Sequence, residues 1–260
     1  YNVMDKSTES MVEDADVIDG ARAIGFTLGI PGRSQVGFVE DILCDRAFLD
    51  DRANNAIEIA TLEDLSEIGV LTPHLMANAA AATAMARSAG VDPADIREAI
   101  RNFRLDAHRI ELVAEAGGVR WIDDSKATNP HAADASLASF ERVVWIVGGL
   151  LKGVDISSLV EKHASKLSAA IVIGKDRSLV LEALAAKAPG VSVVEISADS
   201  GAQVMAQAVV SAAAIAKDGD VVLLAPAAAS MDQFTDYAER GRLFAQAVRE
   251  VVGGEADRKS

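Results

Sequence analysis

Beyond residue 105 the chain alternates between two patterns. Short apolar runs rich in Val and Ile occupy 119–123, 143–147, 170–173, 191–196 and 221–225. Between and after them, apolar side chains recur every three to four positions over 130–139, 156–167, 179–187, 201–216 and 238–252. The first pattern predicts buried strands and the second predicts helices with one buried face. A further short run at 110–114 leads through Glu115-Ala116-Gly117-Gly118 into 119–123, which predicts a hairpin. Strands and helices in alternation predict a doubly wound, mainly parallel sheet with helices on both faces. The polar residues 253–260 read as a frayed tail.

The first 105 residues are less regular. Strands are expected at 23–28, 36–43 and 56–60, with a turn at Ile30-Pro31-Gly32-Arg33, as a small antiparallel sheet with charged outer faces. Residues 74–88, rich in Ala and Met, predict a well-packed helix that Gly90 ends. Asp92-Pro93 then supplies an N-cap and a Pro at the first helical position. It opens a helix over 94–103 with Ile96, Ile100 and Phe103 on one face. His74 and Asn78, four apart, share a helix face. By spacing alone they are a cap and a satisfied amide, or a pair that meets a ligand.

Ligands of open α/β sheets bind outside the carboxyl ends of the strands, so the residues after each strand are the place to look for chemistry. After 119–123 comes Asp124-Ser125-Lys126-Ala127-Thr128-Asn129, after 143–147 comes Gly148-Gly149-Leu150-Leu151-Lys152-Gly153, and after 170–173 comes Gly174-Lys175-Asp176-Arg177. After 221–225 comes Pro226-Ala227-Ala228-Ala229-Ser230-Met231-Asp232. Each has a plain reading too: Asn129-Pro130 starts a helix, Ser230 caps one, lysines sit in solvent and Gly148-Gly149 makes a tight turn. Their convergence on one sheet edge is what points to a ligand site. Lysine ammonium groups there suit a carboxylate or phosphate, and Asp124 suits ribose hydroxyls or a metal.

Composition narrows the partners. The 260 residues are 50% hydrophobic and only 4% aromatic, with a formal charge of −14, which disfavours nucleic acid and anionic membranes as partners. The one cysteine, Cys44, fits a reducing compartment. No apolar run has the length of a membrane span, and the N-terminus does not resemble a signal peptide. His74, His108, His131 and His163 lack metal-ligand spacing. The sequence holds no Gly-x-x-x-x-Gly-Lys-Ser/Thr, no Gly-x-Gly-x-x-Gly and no Gly-x-Ser-x-Gly. It does not read as a complete nucleotide-triphosphate-using enzyme.

Three stretches, in order over 108–241, resemble the D-glutamate-adding members of the Mur ligase family. They are His108-Arg109-Ile110-Glu111 with Asp123-Asp124-Ser125-Lys126-Ala127-Thr128-Asn129; Gly148-Gly149-Leu150-Leu151-Lys152-Gly153; and Ala225 through Phe234 with Tyr237-x-x-Arg240-Gly241. The resemblance implies a three-domain parent. Residues 106–260 would be its C-terminal Rossmann-like domain, and 1–105 the last part of its α/β central ATP-binding domain. The UDP-binding domain, the P-loop and the magnesium ligands would lie upstream of Tyr1, so that no metal ligand is expected here.

The resemblance also implies the activity: ATP phosphorylates the carboxylate of UDP-N-acetylmuramoyl-L-alanine, and the D-glutamate amine attacks the acyl phosphate, in peptidoglycan synthesis. A cytoplasmic monomer is implied. Carried over by position, Asn78 contacts adenine, and Arg109 and Asp124 hold the ATP ribose. Lys126 (also the catalytic candidate) and Thr128 line the reacting end. Lys152 and Ser230 meet the D-glutamate carboxylates, and the backbone of Tyr237 contacts substrate. Four positions depart from the family pattern: Leu75 replaces an asparagine in Thr72-Pro73-His74-Leu75-Met76-Ala77-Asn78, Ala225 and Ala228 replace a serine and a cysteine, and Tyr237 stands where Phe is common. Two other readings are a fragment of another Mur-type or folylpolyglutamate-type ligase, and a non-catalytic module that binds nucleotide or amino acid.

Overall fold

The computed structural model describes residues 1–258. The chain divides into two compact units, Tyr1–Leu105 and Asp106–Ser260.

The first unit is a four-stranded sheet, β1 (Gly25–Phe26), β2 (Gln35–Val39), β3 (Ile42–Asp45) and β4 (Ile57–Thr61), in sequence order. Its helices are α1 (Lys6–Glu13), α2 (Leu62–Ser66), α3 (Pro73–Ser88) and α4 (Pro93–Asn102). The apolar stretch expected as one strand at 36–43 is two, β2 and β3, because the chain reverses at Glu40 in a left-handed conformation (φ 56°). The sheet is mixed rather than antiparallel, since β1 runs parallel to β2. Phe103, expected on the buried face of the second long helix, lies beyond its end in extended backbone and is exposed. Val36, Phe38, Leu43, Ile59, Leu75, Ile96 and Ile100 form the core of this unit.

The second unit opens with the hairpin β5 (Glu111–Ala116) and β6 (Val119–Asp123). There follow α5 (Pro130–Ala138), β7 (Val143–Gly148), α6 (Ser157–His163), β8 (Leu167–Ile173), α7 (Ser178–Lys187) and β9 (Ser192–Glu195). The unit ends with α8 (Gly201–Ile215), β10 (Val221–Leu224) and α9 (Tyr237–Arg258). Thus α9 continues into the stretch expected to be a frayed tail, while 259 and 260 lie outside the described residues.

The strand order is β5-β6-β10-β7-β8-β9, parallel except at β5. The doubly wound, mainly parallel sheet read from the periodicity is therefore the fold of this unit. Side chains of alternate parity leave the sheet on opposite faces. Val144, Ile146, Ile171, Ile173, Val222 and Leu224 pack with Val204, Met205, Val209, Phe244 and Val248 of α8 and α9. Val143, Trp145, Val147 and Leu223, of the other parity, are equally buried, so both faces are covered.

One detail of this order positions the site. The chain leaves β9, passes through α8 and returns to insert β10 between β6 and β7. Leu224 is in register with Asp123 on one side and Ile146 on the other. The carboxyl ends of three central strands therefore lie side by side.

Candidate functional site

The loops after β6, β10 and β7 are tied to one another through backbone. Asp124 N–H donates to Leu224 C=O (2.9 Å), Ala227 N–H to Ala127 C=O (3.0 Å) and Gly148 N–H to Pro226 C=O (2.9 Å). Leu150 and Ala229 exchange both hydrogen bonds as an antiparallel bridge. Gly149 (φ 128°) makes that bridge possible: a Cβ there would come within 2.5 Å of the Ala229 carbonyl oxygen. The loop after β8 joins the same edge, where Gly174 N–H donates to Gln233 Oε1 (2.8 Å) and Lys175 N–H to Asp232 Oδ2 (2.9 Å).

Two adjacent carboxylates in the β6 loop have opposite environments. Asp123 Oδ2 meets His108 Nδ1 at 2.6 Å and Asp123 Oδ1 accepts from Ser125 N–H at 2.9 Å. The hydrogen bond to Asp123 raises the pKa of His108, against burial. Asp124 is buried, with Ser136 Oγ donating to Oδ2 and Ile110 N–H donating to Oδ1 at 3.3 Å. Burial pushes its pKa up to about 6, despite those hydrogen bonds and the nearby Arg109.

Arg240, in the first turn of α9, is fully buried. Its Nε donates to Ser125 Oγ (2.9 Å), Nη2 to Ser125 C=O (2.7 Å) and Nη1 to Ala228 C=O (3.1 Å). Ser125 Oγ in turn donates to the Tyr237 carbonyl at 2.7 Å. Burial lowers the guanidinium's pKa to about 10, so it stays charged at neutral pH.

The ammonium of Lys126 lies 3.9 Å from the centre of the Tyr237 ring, in cation–π geometry. The Tyr237 ring also meets His108 edge-on, centroids 6.4 Å apart. Thr128 is half-buried two residues on, and Asn129 caps α5 through Ala132 N–H. Ser230 is buried at the head of the turn after β10, where its carbonyl accepts from Gln233 and Phe234 N–H. Lys152 is exposed, in left-handed backbone (φ 55°), two residues past the bridge at Leu150. Arg109 is exposed and pairs loosely with Asp106 (3.7 Å). Asn78 belongs to the other unit, where it is exposed on α3 and its Nδ2 lies 3.2 Å from His74 Nε2.

The structure thus brings Lys126 and Tyr237 into contact, places the Ser230 and Lys152 loops edge to edge, and puts Asp124 beside the Arg109-Ile110 backbone. Asp123, His108, Ser136 and Arg240 hold these groups without having been singled out for a role. Arg240 and His108 were visible as parts of the recurring motifs; Ser136, inside a helix, had no signal. His108, Glu111 and Asp123 are the one set of metal-type donors that converges among the described residues. His108 Nδ1 and Asp123 Oδ2 are already hydrogen-bonded to each other, Glu111 Oε2 accepts from the His108 backbone N–H, and an imidazole nitrogen is a poor donor for a hard ion such as magnesium. The donor set does not fit magnesium.

Residues 108–228 match the family model of the Mur ligase glutamate ligase domain. The chain is 60% identical over 257 residues to the UDP-N-acetylmuramoylalanine–D-glutamate ligase of Leifsonia xyli subsp. xyli, a match covering 99% of the chain and 50% of that protein. It is 54% identical to the ligase of that name from Streptomyces coelicolor, over 96% of the chain and 52% of the relative. It therefore spans about half the length of these relatives. Among solved structures, UDP-N-acetylmuramate-alanine ligase from Thermotoga maritima superposes with a TM-score of 0.54 at 14% identity, covering 88% of this chain and 48% of that one. A pseudomurein peptide ligase type C from Methanothermus fervidus gives 0.55 at 16%, covering 84% and 41%. Those two likenesses concern the fold. Residues 108–228 belong to the Mur ligase family as its glutamate ligase domain, and the chain that carries them is a homologue of the UDP-N-acetylmuramoylalanine–D-glutamate ligases.

Proposed function

We propose that this chain is the carboxyl-terminal half of a ligase that joins D-glutamate to UDP-N-acetylmuramoyl-L-alanine. The observation that carries the proposal is the 60% identity to a ligase of that name along 99% of the chain, together with the meeting of the β6, β10 and β7 loops at one sheet edge. ATP, when bound, supplies the phosphoryl group that activates the acceptor carboxylate. Every other step below belongs to residues of this chain.

A dicarboxylate needs a cation and donors at each end. Lys152 and Ser230, on loops joined by the Leu150–Ala229 bridge, are assigned to the D-glutamate carboxylates. Lys126 and Thr128 are assigned to the reacting end, where the ammonium offsets charge that develops as the amine attacks. At Tyr237 the carbonyl is engaged by Ser125, which leaves the N–H in the first turn of α9 as its backbone donor to substrate. Arg109 and Asp124 are assigned to ribose, and Asn78 to adenine. Asp124 already accepts from Ser136 and Ile110, so it would offer ribose only its remaining lone pairs. Magnesium, which ATP chemistry calls for, has no fitting ligand set among the described residues and is assigned to residues outside this sequence. Fixing acceptor and amine within attack distance is the main contribution of such a site.

The test joins this chain to its upstream half and supplies ATP, UDP-N-acetylmuramoyl-L-alanine and radiolabelled D-glutamate. The expected result is ADP and a labelled UDP-linked product, with L-glutamate inert. Lys126→Ala should cut kcat by about 100-fold or more, and Lys152→Ala should raise the KM for D-glutamate about 10- to 100-fold. Preference for another amino acid, or no product from the joined protein, overturns the reading. The 260-residue chain alone, which has no P-loop motif, is expected not to ligate; turnover by it would contradict the assignment as half an enzyme.

A further inference from the structure

The first turn of α9 touches the β6 loop in three ways. The Tyr237 carbonyl accepts from Ser125 Oγ, the Arg240 guanidinium grips both the hydroxyl and the carbonyl of Ser125, and Gly241 lies against the His108–Asp123 pair. A Cβ at Gly241 would overlap His108 Nδ1 and Asp123 Oδ2. Ser125 directly precedes Lys126, and Tyr237 carries the ring on which the Lys126 ammonium rests. Arg240 also holds the β10 loop through Ala228 C=O, three residues from its Ala225 start and two before Ser230.

We infer that Arg240 is a positioning residue: its fork on Ser125, relayed by the serine hydroxyl to the Tyr237 carbonyl, sets where Lys126 is presented. Burial of a guanidinium whose hydrogen-bond partners are all uncharged oxygens, with Asp232 and Asp123 acting on it only through space, is a costly way to join a loop to a helix. An apolar side chain of similar length would fill the space but leave Ser125 C=O and Ala228 C=O without a donor. What the apolar side chain lacks is direction. The planar fork fixes the distance and angle between the β6 loop, the β10 loop and the helix turn at once. A single-point ammonium cannot do this, so Arg240→Lys keeps the charge and loses the geometry.

The inference concerns the lysine's presentation, and its catalytic consequence rests on the ligase reading. Two arms separate them. In the first, lysines of the folded 260-residue chain are reductively ¹³C-dimethylated, and the Lys126 signal is identified by its loss in Lys126→Arg. The parent should show that signal displaced upfield by the Tyr237 ring. Ser125→Ala, Arg240→Lys and Arg240→Met should each move it toward the position of the other lysines, while Trp121 and Trp145 fluorescence stays native. Arg240→Met, which leaves Ser125 C=O and Ala228 C=O without their donor, should unfold at lower urea than the parent. If Arg240 variants do not fold, Ser125→Ala, which deletes one hydroxyl, decides. A Lys126 signal that keeps its displacement in folded Ser125→Ala and Arg240→Lys overturns the inference.

In the second arm, the joined ligase carrying Arg240→Lys or Arg240→Met should lose about 100-fold in kcat, the scale expected of a misplacement of about 1 Å. Ser125→Ala should lose about 10-fold, with the KM for ATP unchanged. Unchanged kcat in the presence of a collapsed Lys126 signal would show that presentation does not govern turnover. Failure of the joined parent itself to ligate would sink the functional proposal and leave the first arm standing.

Discussion

Both units bury charge, and they do it in opposite ways. In the first, Asp64 of α2 is buried between Arg97 and Arg101 of α4, at 2.8 and 2.5 Å, and it also closes the capping box of its own helix with Thr61. Burial would raise this carboxyl, yet the Thr61 N–H and the two guanidiniums hold it at about 2. In the second, Asp124 is buried beside a hydroxyl and a backbone N–H and rises to about 6, while Arg240 is buried with three hydrogen bonds, all to uncharged oxygens. A charge surrounded by its counter-charges fastens two helices. In the second unit the opposite charges, Arg109 for Asp124 and Asp232 and Asp123 for Arg240, act only through space and do not offset burial, and groups perturbed in this way gather at functional sites. The contrast separates a structural cluster from a site using the same residue types.

The largest effect should come from breaking the first cluster. Asp64→Ala leaves Arg101 without its carboxylate, Arg97 with Glu58 alone and α2 without its reciprocal cap. A loss of about 3 kcal/mol is expected. Both tryptophans lie in the second unit, so their fluorescence should barely change while amide exchange quickens across α2, α4 and β4. Unchanged exchange there would show that the arginines are satisfied by water and that the cluster is decorative.

The sequence disclosed the two units unequally, for a physical reason. Val143–Gly148 and the 170–173 part of β8 are legible because both faces of a central parallel strand are buried, which leaves an unbroken apolar run, whereas exposed Ser168 hides the start of β8. β2 and β3 merged into one expected strand because Glu40-Asp41 is not a residue pair that announces a tight turn. Strand order is not carried by periodicity, so the insertion of β10 between β6 and β7 had to be seen. The same holds within the site. Lys126, Thr128, Lys152 and Ser230 stand out as polar residues after strands. Ser136 reaches Asp124 only because α5 folds back beside its own loop, and Gly241 matters only because His108 and Asp123 occupy the space its side chain would fill.

An effect of similar size should follow from relieving Asp124. Its carboxyl binds a proton more tightly in the folded chain (about 6) than in the unfolded one (3.8). The stability that goes with the protonated form is therefore complete below about pH 4 and is lost as pH rises through about 6. The loss is on the order of 3 kcal/mol. Asp124→Asn, which cannot ionise, should match the parent near pH 4 in urea unfolding followed by tryptophan fluorescence, and exceed it at pH 7.5. Asp64, whose folded pKa is depressed, behaves in the reverse sense: its contribution is present above about pH 4 and lost as pH falls toward 2. Parallel curves for parent and Asp124→Asn across pH 4–7.5 would place Asp124 with Asp64 among the compensated charges.

The smallest effect, and the finest test of the contrast, lies at Tyr237. A cation over an exposed aromatic face stabilises by about 0.5–1 kcal/mol, so neither Tyr237→Phe nor Tyr237→Leu should change unfolding much. They should differ in what they do to Lys126. Phe retains a ring face, so the dimethylated Lys126 signal should stay displaced and the joined ligase should keep its kcat within about 2-fold. Leu removes the ring while leaving the Tyr237 backbone carbonyl in place for Ser125. The signal should then revert although the Arg240 fork is untouched, and kcat should fall by less than in the Arg240 variants, because the loop itself has not moved. If Leu costs as much as Arg240→Met, the ring rather than the fork holds the lysine, and the buried guanidinium needs another explanation. If Leu costs nothing in either readout, the ammonium's resting place on the ring has no bearing on where it acts, and the backbone staple alone distinguishes this site from the saturated cluster around Asp64.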